Sequence, residues 1–252
     1  MNPFKTHAAA SVRQPDRTRL AAQRCRALPR WSLTVAGAAL LFVGGCALPD
    51  KPVRAAMFDF GPGVLSAQGA VGAPAAAIAI DDIGTAGGAL ENMAVLYRLA
   101  YLDDQQLRPY SQARWSMPPA QLIRQRLREQ LSLSRPVFNA RDSLALSRKQ
   151  AAAPASTQPD RAAPLPLQLR LELEEFSHLF TAPEVSMGLV RLRATLVEVT
   201  SSGEKLVGQR SVVVQRPAAT PDAAGGVRAL TAATDAAIVE LDQWLLQAAA
   251  GR

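Results

Sequence analysis

The chain is poor in the residues from which catalytic and metal sites are built. Its 252 residues include two cysteines and two histidines, and only Cys46 and His178 lie beyond residue 45. A single cysteine cannot form an internal disulfide, and a lone histidine cannot build a histidine-based metal site. The sequence also has no phosphate-cradling glycine loop and no GxSxG nucleophile motif. We therefore expect no catalytic residue, no metal and no cofactor, and we do not expect an enzyme.

The few residues that could support acid–base chemistry are better explained by structure. Asp81-Asp82 and Asp103-Asp104 are pairs of adjacent carboxylates. Adjacent residues on a strand point to opposite faces of a sheet, so neither pair can converge on one substrate. Both pairs lie where turns are expected, and we interpret them as turn formers. His178 is predicted at a strand end and is interpreted as a surface or hydrogen-bonded side chain.

Charge is also scarce once the first 45 residues are set aside. The formal net charge is +7, but residues 1–45 hold seven of the 28 basic residues and one of the 21 acidic residues. Residues 46–252 therefore carry 21 basic and 20 acidic residues. Such near neutrality lacks the positive surface that phosphate binding requires, which excludes nucleic acid as a partner.

The apolar stretch near the amino terminus is short for a transmembrane helix. Residues 31–43 form an uncharged run of 13 residues, whereas roughly 20 are needed to span a bilayer. The run follows Arg24, Arg26 and Arg30 and precedes Gly44 and Gly45, which is the order of an export signal: a basic start, an apolar centre and small residues at the cleavage site. An uncleaved membrane anchor is the alternative, because the run reaches 18 residues when extended through Leu48.

The segment Val43-Gly44-Gly45-Cys46 resembles the lipobox of bacterial lipoproteins, in which an aliphatic residue and two small residues precede a cysteine. The resemblance implies that Cys46 is the lipidation site, that cleavage occurs before it, and that residues 1–45 are a signal peptide. Two or three acyl chains make release from a membrane negligible. Ala47 follows the cysteine where many inner-membrane lipoproteins have aspartate, which favours the outer membrane with the domain facing the periplasm.

Composition divides the mature chain into a tether, a domain and an insert. Residues 46–75 are rich in Gly, Ala and Pro and predict a lipid-anchored flexible tether, with one short strand near residues 57–60. Residues 76–249 are long enough for one domain with a substantial core. Within it, residues 150–164 are mainly Ala and Pro without an apolar period, which predicts a disordered loop.

Alternating apolar and polar residues predict the strands of this domain. The clearest alternation covers residues 165–174, and two further strands at 190–196 and 206–215 complete an antiparallel meander. Shorter strands are predicted at 76–83, 93–102 and 106–115, with a turn at 103–105 between the last two. The facing of the strand at 206–215 stays open, because Val212-Val213-Val214 supplies apolar residues to both sides.

Three- and four-residue spacing of apolar residues predicts two helices. The first follows Ser116, a candidate cap, and its stripe contains Ala120, Ile123, Leu127 and Leu131. The second runs to about residue 249 with the stripe Val227, Leu230, Thr234, Ala237, Leu241 and Trp244. Strands that bury one face need a cover, which the helices provide. The predicted fold class is α+β: a two-layer sandwich of a mainly antiparallel sheet with two helices packed on one face.

Four aromatic residues are candidates for a ligand site. Tyr97, Tyr101, Tyr110 and Trp115 fall on or beside two predicted strands. Aromatic residues at such positions usually pack in the core or on the sheet face, and we adopt that interpretation. The alternative is that they line a lipid groove, so the ligand-binding residues stay unknown at this stage.

The order of motifs resembles the ABC-type transport auxiliary lipoproteins, the family of paraquat-inducible protein C. The resemblance covers about residues 76–249. It is carried by aromatic and apolar positions in a recurring order: Tyr97-Arg98, Tyr110, the segment Trp115–Pro119 before a helix, Gln168-Leu169, Glu175-Phe176, the meander, and Asp242–Leu245 in a terminal helix.

This resemblance implies an auxiliary, docking component of an intermembrane lipid transport system. The expected partners are an MCE-domain protein and ABC transporter subunits, with the membrane reached through the lipid anchor and homo-oligomerisation left open. The family has no assigned catalytic residues, so none are transferred. The alternative function is a periplasmic carrier that itself holds an acyl chain, which would need more apolar surface than the core can fill.

Overall fold

The computed structural model describes residues 54–63, 75–143, 145, 165–200 and 203–250. All of them belong to one compact unit, Pro52–Arg252. Cys46, the signal peptide and the Ala/Pro-rich insert at 150–164 lie outside the described residues, so the predictions made for them are not examined by the structure.

The described residues form nine strands and two long helices. The strands are β1 (Ala56–Phe58), β2 (Ile78–Ile80), β3 (Gly84–Thr85), β4 (Ala94–Leu99), β5 (Asp103–Trp115), β6 (Val137–Asn139), β7 (Leu167–Ala182), β8 (Val185–Thr200) and β9 (Gly203–Pro217). The helices are α1 (Pro119–Ser132) and α2 (Ala223–Ala250), and a 3-10 helix covers Gly88–Glu91.

Strand β7 lies at the centre of the sheet and is paired along both edges. On one edge it runs antiparallel to β8, which in turn pairs with β9, so the predicted meander is confirmed. On the other edge the short strands β2, β3 and β4 pair with β7 one after another, all in parallel. Strand β5 continues the sheet beyond β4, β1 lies parallel to β5, and β6 lies parallel to β2.

The sheet and both helices share one hydrophobic core. Leucines on alternate positions of β7 and β8, such as Leu169 and Leu192, are fully buried, as are Leu127 of α1 and Leu230 of α2. The helices contact each other, and Arg126 of α1 lies 3.2 Å from the Asp235 carboxylate of α2. The α+β class is therefore confirmed, whereas a two-layer sandwich with both helices on one face stays a prediction.

Several local predictions are corrected by the structure. The turn between β4 and β5 lies at residues 100–102, not 103–105, because an irregularity between Arg98 and Leu99 ends β4 early and brings Leu99 opposite Asp103. Ser116 does not cap α1, whose N-cap is Pro118 without a side-chain hydrogen bond. Pro119 suits the first helical position that follows, because its fixed backbone angle matches the first helical turn. The parallel pairings of the short strands were not predicted.

The folded domain begins upstream of the boundary predicted at residue 76. Strand β1 is paired with β5, and Phe60 is buried, with its ring centroid 5.6 Å from that of Trp115 and 6.2 Å from that of Phe176. The Gly, Ala and Pro content of this region predicted a flexible tether, although one aromatic residue of the region fills part of the core. Residues 54–63 thus belong to the domain and not to the tether.

Gly188 lets α2 approach β8 closely. A Cβ added at this position would lie 2.5 Å from the backbone of Ala229 and Leu230. We expect Gly188→Ala to lower the free energy of unfolding by about 1–3 kcal/mol, because either the helix or the strand must shift. Urea denaturation of the purified protein measures the change.

The matched control is Gly208→Ala on β9, which also faces α2. There the added Cβ would lie 3.5 Å from the Trp244 ring, an ordinary contact, so the expected change is within about 0.5 kcal/mol. Equal stabilities of the two variants would contradict the close approach of α2 to Gly188.

Candidate functional site

A groove of about 880 Å³ lies beside α1, opposite the segment 82–91 that contains β3 and the 3-10 helix. Its position follows from the amphipathic pattern of α1: the predicted stripe of Ala120, Ile123, Leu127 and Leu131 is buried, and the polar face is left to solvent. The groove is lined by Asp82, Ile83, Gly84, Thr85, Leu90, Glu91, Met117, Pro118, Ala120, Gln121, Arg124, Gln125, Arg128 and Glu129.

Polar contacts tie the charged lining residues of the groove to neighbouring segments. Arg124 lies 3.3 Å from the Asp82 carboxylate, and Arg128 donates a 2.7 Å hydrogen bond to Asn139 of β6. Thr85 donates to Glu91 across the loop that follows β3, at 3.2 Å. The side chains that line the groove are therefore positioned by several elements of the domain and not by α1 alone.

The chemistry of this lining suits a polypeptide better than an acyl chain. Five lining residues are charged, and both signs are present. A site for an acyl chain is lined predominantly by apolar side chains with few polar groups. Charged and apolar groups side by side are typical of surfaces that bind proteins. The groove is accordingly a candidate docking surface and a poor candidate for holding lipid.

A smaller hollow of about 250 Å³ shares Met117, Gln125 and Glu129 with the groove. One of its lining residues, Arg126, has a side chain that is 6% exposed, and it donates a hydrogen bond to the Phe60 carbonyl oxygen. Burial raises the pKa of its ion-pair partner Asp235, and the positive charge of Arg126 opposes that rise. This buried arginine was not predicted, because in sequence it resembles the half-buried arginines on either side.

The four aromatic candidates do not come together at one site. Trp115 is fully buried in the core, as we interpreted it. Tyr97 and Tyr110 form a pair with ring centroids 4.6 Å apart, and Tyr101 is 41% exposed at the turn between β4 and β5. None of the four lines the groove or the smaller hollow, so the alternative of an aromatic lipid groove has no support there.

His178 lies inside β7 and is fully buried, whereas the sequence placed it at a strand end. Its Nδ1 atom is hydrogen bonded to the Tyr110 hydroxyl at 2.9 Å, but its Nε2 atom has no hydrogen-bond partner among the described residues. Backbone atoms of Gly226 at the start of α2 lie against the ring, leaving no room for a Cβ. The imidazole is fully buried, as a residue of the core is.

The environment of this histidine shifts two pKa values. Burial lowers the pKa of His178 to about 4, and the negative charge of Asp222 only partly offsets this. Burial also raises the pKa of Tyr110, so that both partners are neutral at physiological pH. His178 and Tyr110 therefore form a hydrogen bond between two neutral side chains, beneath the amino-terminal end of α2.

The remaining predicted candidates are spread over the surface. Asp82 faces Arg124, and Asp103 accepts a hydrogen bond from the backbone of Gln105 at 3.0 Å, as local turn residues do. Over the described ranges, no group of three or more His, Cys, Asp or Glu side chains is arranged to hold a metal ion. No helix in the part of the chain that the structure describes is long and apolar enough to cross a membrane.

Acid should destabilise the domain in a defined pH window through His178. Between pH 6.5 and about 4 the histidine binds a proton in the unfolded chain but not in the folded one. Its stabilising contribution is complete above pH 6.5 and is lost as the pH falls toward 4, at up to about 1.4 kcal/mol per pH unit.

Urea denaturation at a series of pH values between about 7 and 4.5 measures this loss. The control is His178→Gln, which keeps a polar partner for Tyr110 but does not titrate. We expect a steeper fall in unfolding free energy for the native protein than for the variant. Parallel pH profiles would show that His178 is not held neutral by the fold.

Comparison with known proteins places the fold but not the family. No family model and no curated protein matches the sequence. The crystal structure of protein XCC0632 from Xanthomonas campestris, assigned to the family model DUF330, is similar with a TM-score of 0.56 at 15% identity, over 77% of this chain and 96% of that chain. The two proteins share a fold.

Two further solved structures are similar at lower scores. The hypothetical protein CT253 from Chlamydia trachomatis has a TM-score of 0.43 at 8% identity, over 70% of this chain and 99% of its own. Lipoprotein GNA1162 from Neisseria meningitidis has a TM-score of 0.24 at 13% identity, over 67% and 98% of the two chains. Scores below 0.5 do not establish a common fold, so the shared architecture rests on the Xanthomonas structure.

Proposed function

We propose that this protein is an outer-membrane lipoprotein that acts without catalysis as a docking component of an ABC/MCE-type intermembrane lipid transport system. The observation that carries the proposal is the segment Val43-Gly44-Gly45-Cys46, which follows an export-type apolar run and precedes a compact domain. Cys46 is the lipidation site, and its acyl chains hold the domain at the membrane.

The filled core supports docking over carrying. A carrier must leave apolar surface unfilled to make room for an acyl chain. In this domain Leu169, Leu173 and Leu196 of β7 and β8 are less than 2% exposed and pack into one continuous cluster with both helices. The groove beside α1 is charged on its lining, which favours a protein partner.

The assignment to lipid transport rests on the resemblance to ABC-type transport auxiliary lipoproteins. Several residues that carry this resemblance stabilise the fold. Trp115 is in the core, and Arg98 forms an ion pair with Glu175 at 3.0 Å between β4 and β7. The similarity to the DUF330 structure concerns the fold alone and supplies no partner. The expected partners remain an MCE-domain protein and ABC transporter subunits.

Crosslinking in intact cells, followed by affinity capture through a carboxy-terminal tag and mass spectrometry, tests this proposal. We expect recovery of an MCE-domain protein or ABC subunits above the level found with Cys46→Ala. That variant should fold normally but leave the outer-membrane fraction, because it has no cysteine to acylate.

Two results would contradict parts of the proposal separately. Clean recovery of the tagged protein without any transport subunit would contradict the transport assignment but not the lipid anchor at Cys46. Normal outer-membrane fractionation of Cys46→Ala would contradict the lipid anchor. A stoichiometric lipid recovered with the protein in place of a protein partner would favour the carrier alternative.

A further inference from the structure

Three exposed apolar side chains lie at one end of the sheet. Tyr101 and Leu102, in the turn between β4 and β5, are 41% and 68% exposed, and Val185, at the start of β8, is 54% exposed. We refer to these three residues as the apolar tip. Large apolar side chains grouped on a surface mark a binding site more often than the same residues scattered singly.

Strand register places the three residues at the same end of β7, on its two opposite edges. Phe180 of β7 is paired with Leu99 of β4 on one side and with Ser186 of β8 on the other. Ala100 donates a backbone hydrogen bond to Phe180 at 2.9 Å, so the turn begins level with the end of β7. Neighbouring strands are about 4.8 Å apart, and β7 lies between β4 and β8. The backbones at the end of β4 and at the start of β8 are therefore roughly 10 Å from each other.

The turn that carries Tyr101 and Leu102 is held by polar contacts with Arg98 and by a backbone hydrogen bond. Arg98 lies 3.0 Å from Glu175 and donates 3.2 Å hydrogen bonds to the carbonyl oxygens of Asp104 and Gln105. Leu102 itself donates a backbone hydrogen bond to Leu99 at 2.9 Å. The exposure of Leu102 is therefore a property of an ordered turn, and a preorganised surface binds with a smaller entropic cost.

The surroundings of the apolar tip are acidic. Asp103, Asp104 and Glu184 are exposed next to it. The arginine that contacts the turn, Arg98, is ion-paired with Glu175, and Arg108 and Arg216 lie further along β5 and β9. Negative charge around an apolar patch repels anionic lipid headgroups and attracts a basic protein surface. Charge complementarity thus selects a protein partner over a membrane.

The apolar tip also lies at the other end of β5 from the segment that leads to Cys46. Strand β5 begins at the tip with Asp103 and pairs with β1 only at residues 113–115. Asp103 lies opposite Leu99 of β4 and Arg114 lies opposite Ala94, so five residues of β4 span the two ends, a separation of roughly 17 Å. The described chain starts just before β1, so the tip and the anchor-proximal segment occupy opposite ends of β5.

We propose that the apolar tip docks onto a basic protein surface, with Tyr101, Leu102 and Val185 buried against apolar residues of the partner and the three carboxylates facing its lysines and arginines. The identity of the partner as an MCE-domain protein rests on the proposed function. The surface itself rests on the exposure, register and charge of the tip residues.

A photo-crosslinking benzophenone amino acid placed at Leu102 of the full-length chain in intact cells tests the proposal. The matched control carries the same group at Leu206, which is 59% exposed on β9. We expect a protein adduct at residue 102, with its crosslinked peptide lying among lysines and arginines of the partner, and no such adduct at residue 206.

Charge reversal tests the electrostatic part. Asp103→Lys with Glu184→Lys should lower the yield of the adduct at residue 102 by about ten-fold. The control, Asp142→Lys with Glu204→Lys, reverses two exposed charges that lie outside both the apolar tip and the groove and should leave the yield unchanged. Thermal unfolding of both double variants confirms that each is folded.

The outcomes separate this proposal from the proposed function. A lipid adduct at residue 102, an equal adduct at residue 206, or a yield that charge reversal leaves unchanged would overturn docking through the tip. A charge-dependent adduct with a protein unrelated to lipid transport would support docking through the apolar tip and overturn the transport assignment. Affinity capture of an MCE-domain protein without an adduct at residue 102 would support the transport assignment and overturn docking through the apolar tip.

Discussion

The backbone pairing of β7 on both of its edges is the constraint on which the rest of the domain depends. One edge is matched by β8 from residue 168 to residue 182, and the other is shared among β2, β3 and β4. A buried strand that left either edge open would lose backbone hydrogen bonds at a cost in free energy. The segment between residues 78 and 99 therefore runs along β7, which places the groove beside β3, near the middle of β7, and the apolar tip near the end of β7.

The helices complete the core because their contacts with the sheet and with each other are specific. Gly188 allows α2 to lie directly on β8, and the arginines Arg126 and Arg135 reach Asp235 and Asp242 on α2. Both arginines are nearly buried, so removing either carboxylate would leave a buried charge without its partner. Packing and ion pairs together hold α1 against α2, which leaves the polar face of α1 free to line the groove.

Periodicity in the sequence predicted the long helices and part of each long strand, but it missed β6 and the second half of β7 and did not predict the connections. The leucine alternation predicted the first half of β7, the apolar stripes predicted both helices, and the structure settles the open facing of β9, with Val212 buried and Val213 exposed. Parallel pairing of β2, β3 and β4 leaves no local pattern, because each is short and its partner lies some 80 residues away. Burial of His178 and Arg126 was missed for the same reason: both are polar residues whose surroundings come from distant segments.

We propose that the domain binds a partner at its surface, because the apolar side chains of the described residues pack into one continuous core. Native mass spectrometry of the protein exported behind a signal peptide without a lipobox, and purified without detergent, tests this most directly. We predict equal masses under native and denaturing conditions, since the core leucines pack against one another in one continuous cluster. A native mass larger by one lipid molecule per chain would contradict the account and establish the domain as a carrier.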